Sequence, residues 1–205
     1  MQLRNALPIL GSLEDGPNLM TFAGALAAMA ACYCALNGAL AAALTFALWA
    51  HVADSFDGLL ARRQPGRTPE MQQIGKQMDS HADFLAGSGF PLIFLIVLGK
   101  GDPIALAGGF LLCAAGLLRL SYFNVHGLKD GAFLGLPLPH NILVLTATYW
   151  ASLLVAPQAQ PVLVGSAAIL TAFLHVAPFP FPKMNMGAVV VTLILALGLS
   201  LATFL

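Results

Sequence analysis

Long apolar runs separated by short polar breaks dominate this chain. An apolar run of about 17 to 25 residues is long enough to cross the hydrocarbon core of a bilayer as an α-helix. The pattern therefore predicts an all-α fold, a polytopic transmembrane bundle of about seven helices (six to eight), in one membrane-embedded domain over residues 1–205. The apolar runs fall near residues 18–36, 38–62, 73–98, 104–125, 137–157, 160–177 and 184–204.

Composition excludes a water-soluble globule. Of the 205 residues, 59% are hydrophobic and 9% are charged, whereas a soluble domain has roughly 25% charged residues. The formal net charge is zero, so no general attraction to nucleic acid is expected. The three cysteines lie inside apolar runs, and we expect small packed residues there rather than disulfides or metal ligands: Cys32, Cys34 and Cys113.

Basic residues are distributed unevenly between the two sides of the predicted bundle. If the N-terminus is cytoplasmic, Lys100 is the one basic residue on the outer side. This asymmetry predicts that the segment between the second and third runs lies at the cytoplasmic face. We expect an integral protein of a bacterial or archaeal-type inner membrane, with its functional site on the cytoplasmic side. The basic residues at or near that face are Arg4, Arg62, Arg63, Arg67, Lys76, Arg119, Lys129 and Lys183.

Four aspartates interrupt the second and third apolar runs. Asp54 and Asp57 are three residues apart near the end of one run, and Asp79 and Asp83 are four apart near the start of the next. On helices, each spacing places both carboxylates on one face. Two antiparallel helices would bring the four to similar depths near the cytoplasmic side. Because a carboxylate at membrane depth is costly unless it is paired or bound, the pattern predicts a cation site.

Hard carboxylate oxygens at this density suit Mg²⁺, Mn²⁺ or Ca²⁺, and a pair of such ions is a common clamp for phosphoryl transfer. Gly58 and Gly75 lack side chains next to the carboxylates, which leaves room for a bulky ligand. Two other interpretations exist. The aspartates could form structural ion pairs with Arg62, Arg63 or Lys76, or they could line a cation transporter, although a transporter would distribute carboxylates between inverted repeats near the midplane.

The order Asp-x-x-Asp-Gly-x-x-Ala-Arg, followed by Gly-x-x-x-Asp-x-x-x-Asp, resembles the signature of the CDP-alcohol phosphotransferases. Twelve residues separate Arg62 from Gly75, more than is usual in that family, and the extra length falls in the loop around residues 65–69. Every fixed position of the signature is present: Asp54, Asp57, Gly58, Ala61, Arg62, Gly75, Asp79 and Asp83.

Other segments resemble the phosphatidylserine synthase branch of this family. Residues 17–21 (PNLMT) resemble the entry to the family's first helix, which borders the nucleotide. Residues 119–125 (RLSYFNV), residues 133–139 (FLGLPLP) and Lys183 resemble that branch in particular. Three residues depart from the pattern of the branch, because a second arginine and small residues are usual at their positions: Tyr122, His140 and Asn141.

The resemblance implies transfer of a phosphatidyl group from CDP-diacylglycerol to a small alcohol, first of all L-serine, with release of CMP in phospholipid biosynthesis. Glycerol phosphate or inositol phosphate is the alternative acceptor. The resemblance further implies two Mg²⁺ or Mn²⁺ ions and a homodimer. By the same resemblance, Asp54, Asp57 and Asp79 hold the metals, and Asp83 contacts the second metal and takes the proton from the attacking hydroxyl. The nucleotide would be bordered by Asn18, Thr21, Gly58, Ala61, Arg62 and Gly75, and the acceptor by Arg119, Tyr122 and His140.

The remaining histidines are expected to have no part in the chemistry. His51 precedes Asp54 by about one turn and could support that metal-ligating aspartate, but we expect it to pack as a polar residue within the bundle. His81 is on a different helix face from Asp79 and is expected to be structural. We expect His126 and His175 to lie at the membrane interface.

Overall fold

The computed structural model describes residues 9–129, 131–182 and 186–204. Over these ranges the chain forms seven long helices, which confirms the predicted helix number and class. The helices are α1 (Gly16–Leu36), α2 (Leu40–Arg63), α3 (Pro69–Gly99), α4 (Pro103–His126), α5 (His140–Val155), α6 (Gln160–Val176) and α7 (Met186–Phe204).

Four segments are long and apolar enough to cross a membrane by length and composition: α1, α3, α4 and residues 157–176, which include α6. The apolar helical segments in α5 and α7 are shorter. Helix α2 is long, but four charged residues lie in its second half: Asp54, Asp57, Arg62 and Arg63.

Local sequence explains where the central helices begin. The hydroxyl of Thr68 accepts a hydrogen bond from the Met71 backbone N–H (3.2 Å) and so caps α3. Asp102 accepts hydrogen bonds from the backbone N–H groups of Ile104 and Ala105 (2.9 Å each) and caps α4. Each helix begins with proline, which fits a first helical turn.

Helix α3 contains a π-helical segment, Leu85–Gly89, which begins two residues after Asp83. The side-chain amide of Asn141 donates a hydrogen bond to the Gly87 carbonyl within this segment. The backbone there packs closely, because a Cβ at Gly87 would lie 3.0 Å from the Leu138 Cβ. Contacts from the start of α5 therefore hold the widened turn that follows Asp83.

The apolar core is assembled from buried residues of all seven helices. Its largest fully buried side chains include Leu44, Leu48, Phe90, Phe94 and Ile142. Helices α4 and α6 approach closely through small residues, because a Cβ at Gly165 would lie 2.7 Å from the Ala105 Cα.

A two-stranded antiparallel sheet joins the loop before α5 to the loop after α6: β1 (Phe133–Leu134) pairs with β2 (Pro180–Phe181), and Phe133 lies opposite Phe181. Strands this short leave no alternating pattern in the sequence, which predicts only loops at these positions. Lys183, part of the resemblance to the phosphatidylserine synthases, lies outside the described residues, as does Arg4.

Candidate active site

Helices α2 and α3 bring three of the aspartates together. The carboxylate oxygens of Asp54, Asp57 and Asp79 can all lie within 4.8 Å of one another. Asp83 follows one helical turn after Asp79, and its carboxylate lies within hydrogen-bonding reach of that of Asp54. All four line one inner cavity of the bundle.

This donor set fits a divalent metal ion. The three converging groups are carboxylates, the ligands that hard cations prefer, and the carboxylate of Asp57 is buried. Among the described residues, no lysine or arginine forms an ion pair with any of the four aspartates. The interpretation of the cluster as structural ion pairs is therefore not supported, and the three carboxylates can together hold a metal ion.

Thr21 links helix α1 to this cluster. Its hydroxyl forms a hydrogen bond with the carboxylate of Asp57. Helix α1 comes close to α2 at Gly24, where a Cβ would lie 3.1 Å from the Ala53 Cβ. The small residues of α1 thus position a hydroxyl against an aspartate of the neighbouring helix.

A cavity of about 560 Å³, here called the polar pocket, lies on one side of the carboxylates. Its cationic lining residues are Arg62, Arg67 and Lys76, and its acidic ones are Asp57 and Asp79. All six residues that the family resemblance places beside the nucleotide line this pocket: Asn18, Thr21, Gly58, Ala61, Arg62 and Gly75.

A second cavity of about 530 Å³, here called the aromatic pocket, lies on the other side. Arg119 and His140 line it, together with Phe123 and Phe133. The Arg119 guanidinium lies over the Phe133 ring, 5.5 Å from its centroid, a cation–π contact. The ring of His140 meets that of Phe181 edge-on, with centroids 4.9 Å apart.

The two pockets meet at the carboxylates. Asp57, Gly58, Arg62 and Asp79 line both of them. Asp54 and Asp83 line the aromatic pocket and not the polar one. A ligand in one pocket therefore meets a ligand in the other at Asp57 and Asp79, and Asp83 faces only one of the two.

Tyr122 is not brought to either pocket. Its side chain is 48% exposed, and its ring stacks on His126 with centroids 4.1 Å apart. Of the three residues predicted to border the acceptor, the structure thus brings together Arg119 and His140 and leaves Tyr122 on the surface.

The expectation that His175 lies at the membrane interface is wrong. His175 is buried, because the loop before α5 folds back against α6. One ring nitrogen lies 2.6 Å from the Leu136 carbonyl oxygen, and the other lies 2.7 Å from the Asn141 side-chain oxygen. His51 is also buried and lines the inner cavity, in agreement with the expected packed polar residue.

No local sequence pattern singles out the ion pair at the edge of the polar pocket. Asp15 is fully buried and pairs with Arg67, 52 residues later, in the loop between α2 and α3. The signal that was available is the unusual length of the segment between Arg62 and Gly75, which contains Arg67. Charge pairing over this separation leaves no local spacing pattern to detect.

Comparison with known proteins places this geometry in a family. The chain matches the family described as CDP-alcohol phosphatidyltransferase over residues 16–203. It is 33% identical to the archaetidylserine synthase of Methanothermobacter thermautotrophicus over 135 residues, which cover 65% of this chain and 57% of that protein. It is 25% identical to the CDP-diacylglycerol–serine O-phosphatidyltransferase of Bacillus subtilis over 177 residues, which cover 84% of this chain and 92% of that protein.

The alignment with the archaeal protein thus spans little more than half of that relative's length. The family match begins with α1 and ends one residue before the end of α7, so that it includes both pockets and every signature residue. The chain therefore belongs to the CDP-alcohol phosphatidyltransferase family.

Proposed function

We propose that this membrane enzyme transfers the phosphatidyl group of CDP-diacylglycerol to the hydroxyl of L-serine and releases CMP. One observation favours a two-substrate transfer above all: two pockets of similar volume meet at Asp57 and Asp79. Serine as the acceptor is supported by the names of the two relatives, an archaetidylserine synthase and a CDP-diacylglycerol–serine O-phosphatidyltransferase. A cation transporter is disfavoured, because the carboxylates form one cluster on a single helix pair.

The polar pocket receives the CDP group in this proposal. Arg62 and Lys76 supply positive charge for the pyrophosphate. Gly58 keeps the pocket open next to the carboxylates, because a Cβ there would come no closer than 3.9 Å to a described neighbour, the Arg62 side chain. The cytidine would lie towards α1, where Asn18 and Thr21 line the wall.

Asp54, Asp57 and Asp79, with Asp83 beside them, would hold two Mg²⁺ or Mn²⁺ ions. When bound, such ions neutralise the charge of the pyrophosphate and of the departing CMP. The protein itself keeps the four carboxylates on facing helix turns and supplies the Thr21 hydroxyl that orients Asp57.

Asp83 is the general base in this proposal, since it lines the aromatic pocket and not the polar pocket. The carboxylate takes the proton of the acceptor hydroxyl as the hydroxyl oxygen bonds to the lipid-linked phosphorus. The bond from that phosphorus to the CMP oxygen breaks, and CMP leaves with the bonding electrons. The proton later passes from Asp83 to water.

The aromatic pocket binds the acceptor. Arg119 can pair with the carboxylate of serine, and His140 lines the same wall. An acceptor phosphate would require a further cationic cluster, whereas the arginines of this pocket among the described residues are Arg62 and Arg119. Because Arg62 also lines the polar pocket, Arg119 is left for the acceptor, and one carboxylate is a better match than a phosphate.

The test is to incubate the purified protein with CDP-diacylglycerol, Mg²⁺ and a panel of labelled alcohols. Labelled phosphatidylserine and an equal amount of CMP are expected from serine. Turnover of glycerol phosphate but not of serine would contradict serine as the acceptor. Absence of transfer to every alcohol would contradict the proposed phosphatidyl transfer itself.

The site is placed at the cytoplasmic face in this proposal, supported by the distribution of basic residues. In a variant with Cys32, Cys34 and Cys113 replaced, single cysteines in residues 63–72 should label from the cytoplasmic side. Cysteines in residues 99–103 should label from the opposite side, and labelling of both loops from one side would contradict this orientation. The homodimer stays a prediction that crosslinking in native membranes can test.

A further inference from the structure

A buried ion pair joins the segment before α1 to the loop between α2 and α3. The Arg67 Nε lies 3.1 and 2.9 Å from the two carboxylate oxygens of Asp15, and the Arg67 Nη2 makes a further contact with Asp15. The Gln64 amide donates a further hydrogen bond to Asp15 (2.9 Å). Asp15 is fully buried, and the Arg67 side chain is 11% exposed.

The same arginine holds Asn18, which lines the polar pocket. The Arg67 Nη2 donates to the Asn18 side-chain oxygen (3.0 Å). The Asn18 amide nitrogen in turn donates to the backbone carbonyls of Ser12 (3.2 Å) and Met71 (3.3 Å). The protein thus uses both N–H groups of the Asn18 amide and one of its acceptor positions.

Gly75 fits against this arrangement. A Cβ at Gly75 would overlap the Asn18 side-chain oxygen and would lie 3.1 Å from the Arg67 Nη2. The signature glycine of α3 is therefore required here by the close approach of Asn18 and Arg67 and not by an unusual backbone conformation.

We propose that Arg67 is a positioning residue for nucleotide binding. It holds Asn18 and the segments that form the wall of the polar pocket in the positions that bind the nucleotide. The proposal rests on the proposed function, since it takes CDP as the occupant of that pocket. Arg67, Asp15, Gln64 and Asn18 are called the latch below. Arg67 belongs to the long segment between Arg62 and Gly75. In this proposal, the additional loop residues supply the arginine that contacts Asp15 and Asn18.

The geometry of the pocket explains why a latch is needed. Its wall is assembled from three separate pieces of chain: the start of α1, the end of α2 with the loop that follows it, and the first turns of α3. A planar guanidinium can bond Asp15 and Asn18 at once in fixed directions, whereas the three donors of an ammonium rotate and have no fixed planar arrangement. Asp15 also compensates the charge of Arg67, which leaves Arg62 and Lys76 as the pocket's cations for a pyrophosphate.

Three variants separate the latch from simple stabilisation. Asp15→Asn/Arg67→Gln removes both charges and so leaves no lone buried charge. Arg67→Lys retains the positive charge and loses the planar set of guanidinium donors. Asp15→Asn weakens the hold on Arg67 without changing a residue that lines the pocket. Arg63→Gln is the matched control, because Arg63 is exposed and lines neither pocket.

The measurements are CDP affinity by calorimetry with Mg²⁺, kcat and KM for CDP-diacylglycerol, and the melting temperature in detergent. We expect the double variant and Arg67→Lys to bind CDP about tenfold more weakly, a loss of about one hydrogen-bonded contact. The KM should rise by a similar factor while kcat stays within about threefold, and Asp15→Asn should match Arg67→Lys. Arg63→Gln should bind CDP as the wild type does.

Unchanged CDP affinity in a folded double variant would overturn the proposed role of the latch. A lower melting temperature without a change in CDP affinity would overturn it as well, since the residues would then only stabilise the fold. An effect of Arg67→Lys without any effect of Asp15→Asn would make Arg67 a direct ligand and also overturn it. Failure of the wild-type protein itself to bind CDP would contradict the proposed function, a result distinct from these.

Discussion

The polar pocket and the aromatic pocket are built in opposite ways around the same carboxylates. In the polar pocket, protein partners hold the side chains that shape the wall, as the contacts of Asn18 and Arg67 show. In the aromatic pocket, the Arg119 Nε and the His140 Nδ1 are buried without a hydrogen-bond partner among the described residues. Aromatic rings pack against these two side chains instead.

This difference indicates how each pocket is completed. A buried polar atom without a partner costs about 1–3 kcal/mol, so such atoms are expected where a ligand supplies the missing bond. The polar pocket is therefore pre-arranged for its ligand, whereas the aromatic pocket is completed by the acceptor. Affinity in the first should depend on protein geometry, and affinity in the second on direct contacts.

Metal removal should have the largest effect, because the proposed ions would lie at the wall that both pockets share. We expect chelation with EDTA to abolish turnover and to weaken CDP binding, and excess Mg²⁺ or Mn²⁺ to restore both. Four clustered carboxylates cannot all stay ionised without such compensation. Full activity in EDTA, in protein shown by elemental analysis to contain no metal, would refute the metal site.

Asp83→Asn should have the next largest effect. The amide keeps the shape of the side chain and loses the proton acceptor, so kcat should fall by about 10²–10⁴-fold. Single-turnover rates with serine in excess measure this step. Near-normal turnover would remove Asp83 from the mechanism.

Arg119→Gln should act on the acceptor alone. Loss of a charge-assisted hydrogen bond of about 1.5–3 kcal/mol raises the serine KM by about 10- to 100-fold, while the KM for CDP-diacylglycerol stays within about threefold. Steady-state kinetics with each substrate varied in turn measure both constants. An equal rise in the two would show that the pockets are not separate in function.

Tyr122→Phe should have the smallest effect, less than about twofold on any kinetic constant, as is usual for a surface change of about 0.5 kcal/mol. The reason is its position, since the ring lies on His126 and outside both pockets. The same steady-state measurements apply. A tenfold rise in the serine KM would extend the acceptor site to Tyr122.

Sequence reasoning succeeded where a feature is local. The helix bounds follow from apolar runs, and the carboxylate cluster follows from i, i+3 and i, i+4 spacing on two adjacent helices. Contacts between distant segments were not accessible: the Asp15–Arg67 pair joins residues 52 apart, and the bonds of His175 depend on how the loop before α5 packs. Spacing also could not show that Tyr122 points away from Arg119, because two helical residues three positions apart share a face only approximately.

The central claim is that Asp57 helps to bind the metal ions and CDP, whereas Asp83 acts as the general base for the acceptor. Measuring CDP affinity tests this claim most directly. Calorimetry with Mg²⁺ should compare Asp57→Asn with Asp83→Asn, using folded protein of matched melting temperature. Because Asp57 lines both pockets and Asp83 lines only the aromatic pocket, Asp57→Asn should weaken CDP binding by at least about tenfold more than Asp83→Asn. Equal losses of CDP affinity in the two variants would contradict the account.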